Sequence, residues 1–398
     1  MRLNLSKNGI ICIFLYVLLI LIYMLILPYG DEPDFNRRGY QYLSTLKSLN
    51  LHFFDSLIEF EFSRHEDGFI NTYSECGYGA SLVDARQLFG AFDLNYCIQN
   101  IELAFKRVAL TLIIFSPLIF SFISSKADYL RKKEFSNSYY LSKESIALSF
   151  IFPGFIFYSA VYSIEQVTLM LSVLFIFNLV NRRYFYSLIF LAASFALDPG
   201  NSQVVLVLTF YLFTSVFIFK KLGFLAFLLF TLISILLAYF GAPVILSFFA
   251  NYSERIALIV LNYSNEGGMF DSTKYPLYLR PIMTFMSYNF MPPSMSKHPL
   301  MYLLVSTSII YTFFKHFYTT VQYKVDIKYM VIFIALFSGI SIIVFLLPGF
   351  TNGKYYIFTL PLFINSLLQY YSFKTLLYFL LTLNIIVIVD NFLFYLIW

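Results

Sequence analysis

The chain has 398 residues, of which 59% are hydrophobic, 21% aromatic and only 12% charged, with a mean hydropathy of +0.74. Globular proteins carry about a quarter charged residues, so a soluble globular domain is excluded and a polytopic membrane protein is expected. The net charge of +5 collects in short Lys and Arg groups between apolar runs, a pattern that sets membrane topology and calls for no nucleic-acid partner.

Apolar runs of about 20 residues recur along the chain without the period-2 alternation of a membrane barrel. The expected fold is therefore all-α, a transmembrane helical bundle forming one integral membrane domain over residues 1–398. Hydropathy predicts about eleven spans, near 9–28, 107–125, 145–162, 164–181, 184–199, 202–219, 222–248, 299–314, 329–348, 355–371 and 375–397. The first follows Arg2 and Lys7. Its apolar run is long for a signal peptide and no small-residue cleavage site follows, so it reads as a retained helix. The 222–248 run exceeds one span and either tilts or breaks at Gly241-Ala-Pro243. Tight turns at Tyr162/Ile164 and Asp198-Pro-Gly200 separate neighbouring helices.

With the N-terminus in the cytoplasm, Lys126/Arg131/Lys132/Lys133, Arg182/Arg183, Lys220/Lys221, Lys315/Lys324/Lys328 and Lys374 all fall inside. Loops 29–106 and 249–298 then lie outside, which in a Gram-negative bacterium is the periplasm. The remaining ionisable residues converge on that outer side. Asp31, Glu32 and Asp34 stand in GDEPDF at the end of the first span, Glu165 opens the fourth, and Asp198 ends the fifth. Arg280 lies in the second outer loop and Lys354 at the start of the tenth span. Ionisable groups in or beside spans are costly and mark functional sites. Solvation at a helix end is the rival explanation for any one of them. The spans read as clean at mid-depth, which speaks against a transporter.

In the first outer loop, Tyr42, Leu43, Leu46, Leu49 and Phe53 recur at helical spacing, with Arg37 and Arg38 on other faces. A second stretch carries Leu88, Phe89, Phe92 and Ile98. Both read as interfacial helices forming a platform beside the carboxylates, or as helices packed on the bundle top. Cys76 and Cys97 share this loop, where an oxidising compartment permits a disulfide, while Cys12 lies inside the first span. The four His are not at ligand spacing, so no zinc site is expected. The chain has no Gly-rich phosphate loop on the cytoplasmic side, which argues against a nucleotide-activated donor.

An acidic pair after the first helix, an outer loop with two interfacial helices, and a run of short-looped spans together resemble the C-type (GT-C) membrane glycosyltransferases. The resemblance implies sugar transfer from a polyprenyl-phosphate carrier at the outer face, with Asp31-Glu32 at the catalytic acidic position. FPGFIFYSAVYSIEQVTLMLSVLFIF, 152–177, is similar to that family's third and fourth helices, with Glu165 at the acidic position that often opens the fourth. GKYYIFTLPLF, 353–363, resembles its late Arg-Tyr…Pro stretch, with Lys354 where Arg is usual. Lysine keeps the charge and loses the bidentate fork. The length, span count and the second outer loop with Arg280 and Pro292-Pro293 also resemble O-antigen and capsule repeat-unit polymerases.

The residues can be assigned chemical roles independently of that likeness. Glycosyl transfer to a hydroxyl needs a carboxylate to take the acceptor's proton and cations to stabilise charge on the departing phosphate. Asp31 is the first choice as base, with Glu32 its alternate or a metal or acceptor ligand. Asp34 supports the site or caps the interfacial helix. Arg280, Lys354 and Glu165 are the substrate and phosphate candidates; Arg37 and Arg38 share that role or attract anionic headgroups. Asp198 is a supporting residue. No cofactor is required, and a divalent cation is left open. The expected enzyme is a repeat-unit polymerase of the bacterial inner membrane. A transferase adding one sugar to O-antigen or lipid A comes second, and a lipid-linked glycan flippase third. The partners expected are polyprenyl-linked donor and acceptor, membrane lipid, and a chain-length regulator or other assembly proteins.

Overall fold

The computed structural model describes residues 7–26, 108–109, 111–123, 141–160, 164–250, 278, 280–282, 284, 311, 318, 327–346 and 353–397. Among these residues the regular structure is entirely helical. In chain order the helices are α1 (Lys7–Ile26), α2 (Ser116–Ile123), α3 (Lys143–Ser149), α4 (Pro153–Ala160), α5 (Ile164–Val180), α6 (Tyr184–Leu197), α7 (Pro199–Leu222), α8 (Phe224–Ala250) and α9 (Ile327–Leu346). A 3-10 helix (Gly353–Thr359) then leads into α10 (Leu360–Leu367), and α11 (Phe373–Ile397) follows. Three stretches, Gly200–Leu222 in α7, Phe224–Ala242 in α8 and Ile327–Leu346 of α9, are long and apolar enough to cross a membrane.

Local chemistry explains the helix ends. Asp198 caps α7: its Oδ1 accepts from the Asn201 backbone N–H at 3.1 Å, and Pro199 occupies the first turn, where no backbone donor is missed. Lys220 and Lys221 close the same helix at its negative end. Gly223, at φ 89°, makes the turn into α8. Few L-residues adopt that conformation without strain.

Two predicted spans are interrupted. The 145–162 span divides into α3 and α4 because Pro153 has no N–H to continue the ladder and disfavours helix at Phe152. The 355–371 span begins as the seven-residue 3-10 helix and becomes α-helical only around Pro361, ending at Leu367. Runs of 3-10 longer than about four residues are uncommon. The opposite holds at Gly241-Ala-Pro243, where α8 continues through to Ala250. Ala238 and Ala242 are buried there, and α8 packs along α9. Packing holds the helix where proline alone would weaken it.

The helices form two groups around one central segment. In the first, α1 packs on α2, α3, α4 and α11. In the second, α7 and α8 pack on each other and on α9, and α6 joins α5 to α7. The 3-10 helix touches α4, α5 and α7, and α10 touches α3 and α9. This segment is therefore the keystone between the groups, and from Tyr356 to Leu367 it is buried throughout. On the second group, Gly339 of α9 lets α7 approach closely: a Cβ there would stand 2.5 Å from Leu208 Cδ1. Beside it the Tyr211 hydroxyl donates to Ser338 Oγ at 3.0 Å. The outward faces of α6, α7 and α8 expose Leu188, Phe210, Phe217, Leu229 and Leu237, apolar surface suited to lipid rather than to water.

Candidate functional site

The structure brings together the elements that carry two predicted site residues. Glu165 is the second residue of α5, and Lys354 the second of the 3-10 helix, which packs on both α4 and α5. The side chains of Glu165 and Lys354 lie outside the described residues, as do Asp31, Glu32, Asp34, Arg37 and Arg38, the two interfacial stretches, and Cys76 and Cys97. The helix leading to GDEPDF, however, is described through Ile26.

That helix is held by buried polar contacts. In the middle of α1 the Tyr16 hydroxyl donates to Ser159 Oγ of α4 at 2.6 Å. Ser159 in turn donates to Ile156 O at 3.2 Å. Gln166, next to Glu165, donates from Nε2 to Thr111 Oγ1 at 2.9 Å and also to the Ser159 carbonyl. Among the described residues its Oε1 has no hydrogen-bond partner. Tyr16, Ser159, Gln166 and Thr111 are all buried, and the Phe115, Phe150 and Phe155 rings pack around them. Further along α1 the Tyr23 hydroxyl donates to Asn384 Oδ1 at 2.7 Å, and Asn384 Nδ2 donates at 2.8 Å to Ile151 O, in the break between α3 and α4. One amide thus ties α1 and α11 to a carbonyl at the interruption, where buried backbone groups need partners.

A third tie joins the two interrupted spans to each other. The Ser142 backbone N–H, at the start of α3, donates to Asn365 Oδ1 of α10 at 3.1 Å, while Ser142 Oγ caps α3 by accepting from the Ser145 N–H at 3.1 Å. Asn365 is buried.

Besides the charged residues, the described helices carry buried amides, Gln166 near the start of α5, Asn365 near the end of α10 and Asn384 midway along α11. Hydropathy averaging hides such residues. The signal for Gln166 and Asn384 is an amide within a largely apolar helical run, since each must find a partner once buried. Tyr16 and Tyr23 carry no such signal among so many tyrosines.

The other predicted residues differ in kind. The Asp198 carboxylate accepts from both the backbone and the side-chain amide of Asn201, so its visible task is capping. Arg280 is helical together with Pro281 and Ile282, and is half-buried beside buried Pro281. Among the described residues no group of His, Cys, Asp and Glu could hold a metal ion.

No family model, curated protein or solved structure matches the chain.

Proposed function

We propose that this protein is a membrane-embedded glycosyl-transferring enzyme of bacterial surface-polysaccharide assembly, and specifically an O-antigen or capsule repeat-unit polymerase using a polyprenyl-(pyro)phosphate-linked donor. It is a multipass protein of the inner membrane with about eleven spans, its N-terminus in the cytoplasm and its site facing the periplasm. The observation that carries this reading is the acidic stretch GDEPDF directly after α1. Support comes from the anchoring by Tyr16 and Tyr23 of α1, the helix that precedes this stretch in sequence. Asp31 takes the proton of the acceptor hydroxyl as the glycosyl bond forms. Arg280 and Lys354 stabilise the departing lipid-linked phosphate.

One observation favours a second reading, a flippase for a lipid-linked glycan. Two interrupted spans, α3/α4 and the 3-10 helix with α10, pack against each other, and interrupted helices are common in transporters. A gel of surface polysaccharide from a strain lacking the gene separates these readings. A polymerase defect leaves core bearing one repeat unit and no ladder. A flippase defect removes the single repeat as well. An intact ladder of altered mass marks a transferase adding one sugar.

A further inference from the structure

At the end of α5 remote from Glu165 the chain turns into α6 through Asn181, Arg182 and Arg183. Two hydrogen bonds close this turn as a Schellman cap: the Arg183 N–H donates to Asn178 O at 2.8 Å and the Arg182 N–H to Leu179 O at 3.0 Å. The left-handed position of such a cap is ordinarily glycine or asparagine. Here it is Arg182, at φ 59°, the only non-glycine residue with positive φ among the described residues. An arginine at this position carries backbone strain that glycine would avoid. Such a conformation persists only where the surrounding structure holds it.

Arg182 borders an open cavity of about 310 Å³ lined by α5, the start of α6, α7, α9 and α10. Along α7 its wall is one helical stripe, Thr209, Leu212, Val216 and Lys220, roughly 16 Å from end to end at about 1.5 Å per residue. Thr209 is buried at the deep end, and the exposed Arg182 and Lys220 stand at the other. The wall between is apolar. Phe213 lines the cavity too and is exposed on the same side of α7 as Phe210 and Phe217, in a helix long and apolar enough to cross a membrane. The slot therefore opens sideways, toward surrounding lipid.

An apolar length ending in two cations complements an amphiphile with an anionic head. A small soluble anion would leave the length unfilled, and a neutral lipid would bring no negative charge to the cationic end. Basic pockets between membrane helices hold anionic headgroups, Arg grips phosphate through its fork, and Lys acts as a point charge. We propose that this cavity binds one acyl chain of an anionic glycerophospholipid, with its phosphate held between Arg182 and Lys220. The site is at the opposite end of α5 from Glu165 and does not depend on the reaction proposed above.

The test is a titration of the delipidated full-length protein in detergent with phosphatidylglycerol, phosphatidylcholine and a polyprenyl phosphate, read by native mass spectrometry. One phosphatidylglycerol per chain is expected, held roughly tenfold more tightly than phosphatidylcholine, with about fivefold weakening in Lys220→Gln and in Arg182→Gly. Arg182→Gly relieves the cap, so its melting temperature should be no lower than wild type, and weaker lipid binding there cannot be laid to misfolding. Val216→Trp fills the slot with both cations kept and should abolish retention. Equal retention of phosphatidylcholine, unchanged affinity in both cation variants, or binding that survives Val216→Trp overturns the proposal. Tighter capture of the polyprenyl phosphate overturns the choice of lipid.

Discussion

Tyr16 of α1 and Ser159 of α4 share a hydrogen bond of 2.6 Å with neither residue exposed to solvent. The Tyr16 ring also packs edge-on against Phe150, with centroids 4.9 Å apart. Tyr16→Phe keeps that ring contact and removes only the hydroxyl. We expect a loss of about 1 kcal/mol, the usual net value of a buried hydrogen bond, measured by unfolding in detergent. Ser159→Ala should cost a similar amount, and the double variant less than the sum, because the two changes remove one shared bond. Full additivity would mean that the hydroxyls act separately.

Asn384 has more to lose. It accepts from Tyr23 and donates to both Ile151 O and Leu380 O, each at 2.8 Å. Asn384→Leu has similar volume but removes the tie to the α3/α4 interruption. Leaving a buried polar group unmatched costs about 1–3 kcal/mol, so this variant should fall clearly below Tyr23→Phe in melting temperature. Equal effects would show that the Ile151 carbonyl finds another donor.

The contrast between these residues and the helix ends shows what was legible in the sequence. The start of α7 could be read from Asp198-Pro199-Gly200, because capping is local chemistry. The interruption at Pro153 was missed, although proline signals it, because hydropathy rewards the flanking Phe and Ile residues on both sides. At Pro243 the same residue type suggested a break, and the burial of Ala238 and Ala242 beside α9 overrode it. The stretch 353–363 drew attention by resemblance, but its 3-10 geometry and its place between two helix groups depend on partners distant in sequence. Gln166 stayed hidden beside its charged neighbour Glu165. A neutral amide announces itself only through the partner it meets after folding.

Gly339 tests the close approach of α7 and α9. A side chain there meets Leu208 and Tyr211, so Gly339→Val should destabilise by about 1–3 kcal/mol through overpacking, despite the better helix propensity of valine. The Tyr211 to Ser338 hydrogen bond would be displaced with it. A variant as stable as wild type would mean that α7 can shift along α9 without loss.

Asp198 separates structure from chemistry by a pair of substitutions. Asp198→Ala removes the cap on Asn201 and should cost about 1 kcal/mol. Asp198→Asn keeps an oxygen to accept from the Asn201 N–H while removing the charge. If the role is capping, the asparagine variant retains both melting temperature and polysaccharide ladder. Loss of the ladder with unchanged stability would instead assign the carboxylate to the reaction.

Asp31→Asn bears on the proposed chemistry most directly. The substitution preserves the shape of the side chain and abolishes its capacity to take a proton, so a base at this position should be lost without loss of protein. In a strain lacking the gene, wild type should restore the polysaccharide ladder, whereas Asp31→Asn, at equal membrane abundance, should leave only core with one repeat unit. Glu32→Gln serves as the internal comparison, since Glu32 is the alternate base. A ladder restored by Asp31→Asn and not by Glu32→Gln would move the base by one residue, and restoration by both would remove the acidic pair from catalysis. Arg280→Lys completes the set. It keeps the positive charge and gives up the bidentate grip on phosphate, so turnover should fall if Arg280 holds the departing group and stay unchanged if it does not.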